Sequence, residues 1–181
     1  MGEFTGTFAI FGSGVLGRWV HASGPILSPG GNATIFLLSG GTSNPYEESS
    51  IGGEISFKEA SITLFSDILT SPRNDIIDYR CIYIKNVSTV DFNSFEIFIE
   101  DQTGEGSIIR MGLGGNVNDT AFLLSNPLSI PPDVSFSFAP IPVGDFAVGD
   151  YIPLWVQRTT PKNAQFTIES NTARIGVRAF Y

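Results

Sequence analysis

The chain has 181 residues, 42% hydrophobic and only 15% charged, with 18 acidic against 10 basic side chains and a formal net charge of -8. That length suits one domain, the apolar share excludes a wholly disordered chain, and an acidic balance with no Lys/Arg cluster excludes a phosphate-binding surface for nucleic acid. No run approaches the roughly 20 apolar residues of a membrane-crossing helix, and Met1-Gly2-Glu3-Phe4 lacks the basic start of a secretory signal, so neither membrane nor export is expected.

The first 30 residues carry almost no charge and hold the apolar set Phe4, Phe8, Ile10, Phe11, Leu16 and Trp19. This segment reads either as an opening strand or as an N-terminal arm packing on a neighbouring subunit. Residues 31–181 read as the domain proper. There, Gly and Pro punctuate short runs rich in Phe, Ile, Val and Thr, the pattern of strands separated by turns. Strands are predicted over residues 33–38, 54–57 and 61–65. Residues 79–86 alternate Arg80, Ile82 and Ile84 with Tyr79, Cys81 and Tyr83, so this strand is apolar on both faces and belongs inside a sandwich.

Over residues 95–100, Phe95, Ile97 and Ile99 form a buried face and Glu96, Phe98 and Glu100 a mixed one. Further strands are predicted at 107–111, 121–124, 135–138, around Trp155 with Ile152, Leu154 and Val156, at 166–169 and at 175–179. No long window carries a helical apolar stripe, which leaves at most a helical turn near residues 66–69. The fold class is all-β, an antiparallel two-sheet β-sandwich with either jelly-roll or immunoglobulin-like wiring.

Chemistry-bearing motifs are sparse. Gly12-Ser13-Gly14-Val15-Leu16-Gly17 follows an apolar run and matches G-x-G-x-x-G, but Ser23-Gly24-Pro25 stops any helix and the next acid is Glu47, so it reads as a flexible turn. Cys81 has no partner cysteine for a disulfide and reads as a buried structural thiol. His21, the only histidine, comes with no Gly-x-Ser-x-Gly elbow. Asp101, Glu105, Asn116, Asn118 and Asp119 lie in two Gly-rich loops, with Asp75 and Asp78 beside Ile76-Ile77; they are oxygen donors for a loop calcium ion or, on the simpler reading, solvated turns. The sequons at Asn32, Asn86 and Asn118 read as turn residues. Trp19, Trp155 and Tyr46 are the candidates for a sugar-stacking platform, against the reading that the tryptophans belong to a core.

Four phrases carry a family resemblance. Phe36-Leu37-Leu38-Ser39-Gly40-Gly41-Thr42-Ser43-Asn44-Pro45, Ser50-Ile51-Gly52-Gly53-Glu54-Ile55-Ser56, Asp78-Tyr79-Arg80-Cys81-Ile82-Tyr83-Ile84-Lys85-Asn86 and Leu154-Trp155-Val156-Gln157-Arg158-Thr159-Thr160-Pro161 resemble a family of small structural proteins of tailed bacteriophages, over about residues 33–180. Tyr46-Glu47-Glu48 and Gln157 depart from its pattern, and the first 30 residues fall outside it. The resemblance implies a virion component without catalytic residues or cofactor. The expected function is therefore a non-enzymatic virion structural protein, foremost a capsid decoration or cement protein bridging subunits. A tail or baseplate component and a carbohydrate- or receptor-binding module are the alternatives. Its expected partners are capsid or tail subunits and further copies of itself, with no nucleic acid, membrane or metal. The expected contacts are Phe4, Phe8, Ile10, Phe11 and Trp19, each buried anchor contributing about 1.5–3 kcal/mol.

Overall fold

A computed structural model of the chain describes residues 3–11, 21–23, 33–61, 63–65, 72–103, 106–164 and 172–181. Runs of alternating or β-branched apolar residues form ten strands: β1 (Glu3–Phe11), β2 (His21–Ser23), β3 (Thr34–Ser39), β4 (Ile55–Glu59), β5 (Ile76–Asn86), β6 (Phe92–Thr103), β7 (Ile108–Leu113), β8 (Ile141–Phe146), β9 (Tyr151–Thr160) and β10 (Thr172–Phe180). They make two five-stranded sheets, β2-β1-β10-β6-β8 and β4-β3-β5-β9-β7. Each residue's choice of face follows from the period of two, so sheet packing rather than local propensity decides which apolar set is enclosed.

The wiring resolves the open alternative. From β5 onward the chain passes between the sheets at every connection, β5–β6, β6–β7, β7–β8, β8–β9 and β9–β10, and β1 lies beside β10. Sheet one carries β1-β10-β6-β8; sheet two carries β5-β9-β7, with Ser137 bridged to Met111 where an eighth strand would pair. That is a jelly roll, not immunoglobulin-like wiring. The strands β2, β3 and β4 extend the two sheets beyond β1 and β5.

The main core lies between the sheets. Ile82 and Ile84 of β5 and Ile152, Leu154 and Val156 of β9 share one buried cluster with Phe95 and Ile97 of β6 and Ile175 and Val177 of β10. Phe95 stacks on Phe92 and on Phe146 of β8, with ring centroids 6.0 and 4.6 Å apart.

At one end of this core, Arg158 holds Asp78 through Nε to Oδ1 at 2.9 Å and Nη2 to Oδ2 at 2.7 Å. The Arg158 and Arg80 guanidiniums both lie over the Phe65 ring. Burial lowers the affinity of Arg80 for its proton, Asp78 opposes that, and Arg158 adds to it.

Several expected elements differ. Residue 61 has no regular structure and residues 63–65 form a turn and bends, although Leu64 and Phe65 are buried. Residues 121–124 and 135–138 contribute only isolated bridges, Gly53 to Ala121 and Met111 to Ser137. Residues 121–124 lie in an irregular layer outside sheet two, and residues 135–138 sit at its edge beside β7, joined to it by the single Met111–Ser137 pair in place of a full ladder. Residues 66–69 and 166–169 lie outside the described residues, as does the Gly12–Gly17 motif. Of the two readings of the N-terminal segment, Glu3–Phe11 takes the strand form, paired with β10 along its length.

Candidate interaction surface

Sheet two has a second apolar cluster on its outer side. Tyr79, Cys81 and Tyr83 of β5, Leu37 of β3 and Trp155 of β9 are buried there with Ala121 and Leu124, and Val134 and Phe136 pack against them. The cover is the long connection from β7 to β8. It lies where it does because polar groups tie it, link by link, to the sheet.

The first links run through the loop between β3 and β4. The Ser50 hydroxyl donates to the Cys81 carbonyl at 2.6 Å, and the Cys81 amide donates to the Ser50 carbonyl at 2.8 Å. The Gly52 amide donates to the Ser39 hydroxyl at 2.9 Å. Gly52 adopts φ +98, and a Cβ there would stand 1.8 Å from the Phe122 carbonyl oxygen, so only glycine admits this approach.

The next links reach the cover itself. The Gly53 amide donates to the Ala121 carbonyl at 3.0 Å, the Leu124 amide to the Ile51 carbonyl at 2.9 Å, and the Tyr79 amide to the Pro127 carbonyl at 2.8 Å. The Tyr83 hydroxyl closes the system: it donates to the Gly53 carbonyl and accepts from the Ala121 amide at 2.9 Å. Burial pushes the Tyr83 hydroxyl up in pKa, the Ala121 hydrogen bond pulling the other way. It therefore stays a neutral donor throughout the physiological range.

What this layer buries on one side, it exposes on the other. Phe122, Leu123, Leu128 and Ile130 face solvent, and further along the same connection Phe138 lies beneath the Arg110 guanidinium at 4.7 Å. The stretch 120–132 contains no Asp, Glu, Lys, Arg or His in a chain of net charge -8, and it carries Pro127, Pro131 and Pro132. Sheet one differs: outward on β6 and β10, Glu96 pairs with Arg178, whose guanidinium lies over Phe98.

The expected contact residues of the N-terminal segment lie in and after β1. Phe4, Phe8 and Phe11 pair in register with Ala179, Ile175 and Ala173 of β10, of which the three β10 residues are buried, and Ile10 falls at the register shift between Ala9 and Phe11. Trp19 lies outside the described residues. Strand periodicity does not single out the surface set Phe122, Leu123, Leu128 and Ile130, since it takes 121–124 as a strand; its signal is the uncharged, proline-bearing stretch itself.

The remaining candidates are placed as follows. Trp155 is fully buried, which removes it from any sugar platform, although Tyr46 is exposed. Its indole Nε1 has no hydrogen-bond partner and lies 2.9 Å from where a Cβ on Gly114 would stand.

Cys81 is buried, and burial pushes its thiol up in pKa against a weaker hydrogen bond with Ser39, as expected of a structural thiol. His21 lies in β2, opposite Thr5. Among the described residues no three His, Cys, Asp or Glu side chains are grouped to hold a metal.

Asp119 accepts from the amide and side chain of Asn116, and Asp150 accepts from Asn118 and the Ala147 amide, so these oxygens close turns. Asn86 is buried, its amide nitrogen donating to the Val90 and Phe146 carbonyls. Comparison of the chain with protein-family models, curated proteins and solved structures finds no match.

Proposed function

We propose that this chain is a non-enzymatic structural protein of a tailed-phage virion, foremost a decoration protein of the head, that works by lasting contact with neighbouring subunits. The observation that carries the reading is the apolar outer surface of residues 120–132, held rigid by hydrogen bonds to sheet two and free of charge. Several exposed large apolar side chains gathered in one uncharged stretch mark a site of association, while the other exposed ones, Tyr46, Phe57, Ile77, Phe138 and Val148, are scattered along the chain. Jelly-roll wiring agrees with the reading but does not select it, since shell proteins and lectins share it. The phrases that resemble phage structural proteins converge on sheet two and on the loop that anchors the cover. In this reading the neighbour-binding surface lies on the cover of sheet two instead of on the N-terminal segment.

The test is the protein content of purified particles. The reading expects the chain to remain with particles through density-gradient purification, in many copies, and particles lacking it to lose their contents at a lower temperature. A chain that stays in the supernatant, with particle stability unaltered by its absence, overturns the reading.

A further inference from the structure

The patch that the proposed function uses has a size, a charge and a stiffness, and together they select an occupant. We infer that the surface formed by Phe122, Leu123, Leu128 and Ile130 is covered by a second copy of this chain, an inference that rests on the association reading above.

Size comes first. The four residues are 59, 60, 63 and 72% exposed. Together they present on the order of 400 Å² of apolar surface, within the roughly 300–600 Å² of the largest patch on a typical monomer, a patch that is often functional. Interfaces between proteins are a little over half apolar, so about 400 Å² of apolar area implies roughly 700 Å² per partner with its polar rim. Two such faces bury roughly 1,400 Å² in total, within the standard range for a stable complex. The patch together with its polar rim, meeting its own copy across a two-fold axis, therefore reaches the size of a stable interface.

Charge points the same way. A chain of net charge -8 repels its own copies over most of its surface. Residues 120–132 are uncharged, with Asp119 and Asp133 just outside, so two copies meeting there bury no ionised group and keep their acids at the rim. A basic partner would be drawn to the acidic remainder of the molecule and would gain nothing from this stretch.

Stiffness completes the argument. The Leu124, Pro127 and Ala121 backbone groups are each hydrogen-bonded to sheet two or its loop, and the Leu128 amide donates to the Asn126 side chain at 2.9 Å. Three prolines fix further backbone angles. Little conformational freedom is left to lose on contact, so the apolar area is expressed as affinity.

Sedimentation equilibrium of the full chain, with Leu128→Asp and Ile130→Asp variants beside it, tests this. The expected result is reversible self-association over the micromolar range, weakened at least tenfold by either substitution, with unaltered circular dichroism and, at dilutions where the chain is monomeric, an unaltered melting temperature. A chain monomeric up to about 100 µM, a concentration at which a standard-size interface is occupied, overturns the inference. So does self-association that both variants leave untouched, or variants that fail only to join particles, which would assign the patch to a different protein. A monomeric chain still found in purified particles overturns the homotypic contact alone, whereas a monomeric chain absent from particles overturns the association reading as well.

Discussion

Between the sheets, Ile82, Ile84, Leu154 and Val156 of β5 and β9 share a core with Phe95, Ile97, Ile175 and Val177 of the opposite sheet. On the outer side of the same two strands, Tyr79, Cys81, Tyr83 and Trp155 lie under irregular backbone carrying Ala121 and Leu124. The inner layer is strand against strand, so burial of alternating side chains holds it together. The outer layer has no ladder of its own, and hydrogen bonds from Ser39, Ser50 and Tyr83 do what pairing does elsewhere. Apolar burial of similar chemistry can thus be reached by periodicity or by pinning, and only the pinned layer leaves a second apolar side facing outward.

The largest expected effect is at the end of the inner layer. Asp78→Ala removes the bidentate partner of a buried guanidinium, with Arg80 close by, and should cost about 3–5 kcal/mol in denaturant unfolding. Truncation of matched apolar residues separates the layers more directly. Ile97→Ala should fall in the upper part of the roughly 2–5 kcal/mol range for core truncation, and Leu124→Ala in its lower part, because irregular backbone settles into a cavity more readily than two sheets do. Equal losses would mean that the two layers are equally constrained.

A smaller effect isolates the pinning. Tyr83→Phe leaves the Ala121 amide and the Gly53 carbonyl without their bridge, for about 1–3 kcal/mol. Hydrogen exchange should quicken over residues 114–140 while the strands of sheet one keep their protection. Uniform quickening would make the cover part of the global core.

The smallest effect is one of pH. The folded state holds the Cys81 proton above its unfolded pKa of about 8.5, so the folded chain binds more protons than the unfolded one at alkaline pH. Stability attributable to this group is intact below about pH 8.5 and declines above it by at most about 1.4 kcal/mol per pH unit. Cys81→Ala should flatten that decline relative to the wild-type chain. An unaltered slope would show that Cys81 is exposed often enough to ionise.

The inner layer was legible in the sequence. The alternation in residues 79–86 placed Ile82 and Ile84 on one face and Tyr79, Cys81 and Tyr83 on the other, and both faces are buried as that pattern requires. β8 escaped notice because Pro142 and Gly144 look like turn punctuation, yet an edge strand tolerates both, since one side of its backbone pairs with nothing. The outer layer was misread for a different reason. Residues 121–124 have strand-like composition, and local pattern cannot tell a strand from an extended segment pinned across a sheet; residues 135–138 reach the edge of sheet two but pair there only at Ser137. What decided the matter was long-range: Ser50 reaching Cys81 and Tyr83 reaching Ala121, contacts between segments far apart in the chain. Nothing local chooses between arm and strand for the N-terminal apolar residues, and pairing with β10 sets Glu3–Phe11 in the sheet.

Hydrogen exchange of the chain free in solution and again within assembled particles tests most directly whether the pinned cover is the contact surface. The account predicts that amides in residues 120–132 gain protection on assembly by at least tenfold beyond any change on the outward face of sheet one. Protection gained only at Glu96, Phe98 and Arg178, with the cover exchanging as in the free chain, would contradict it.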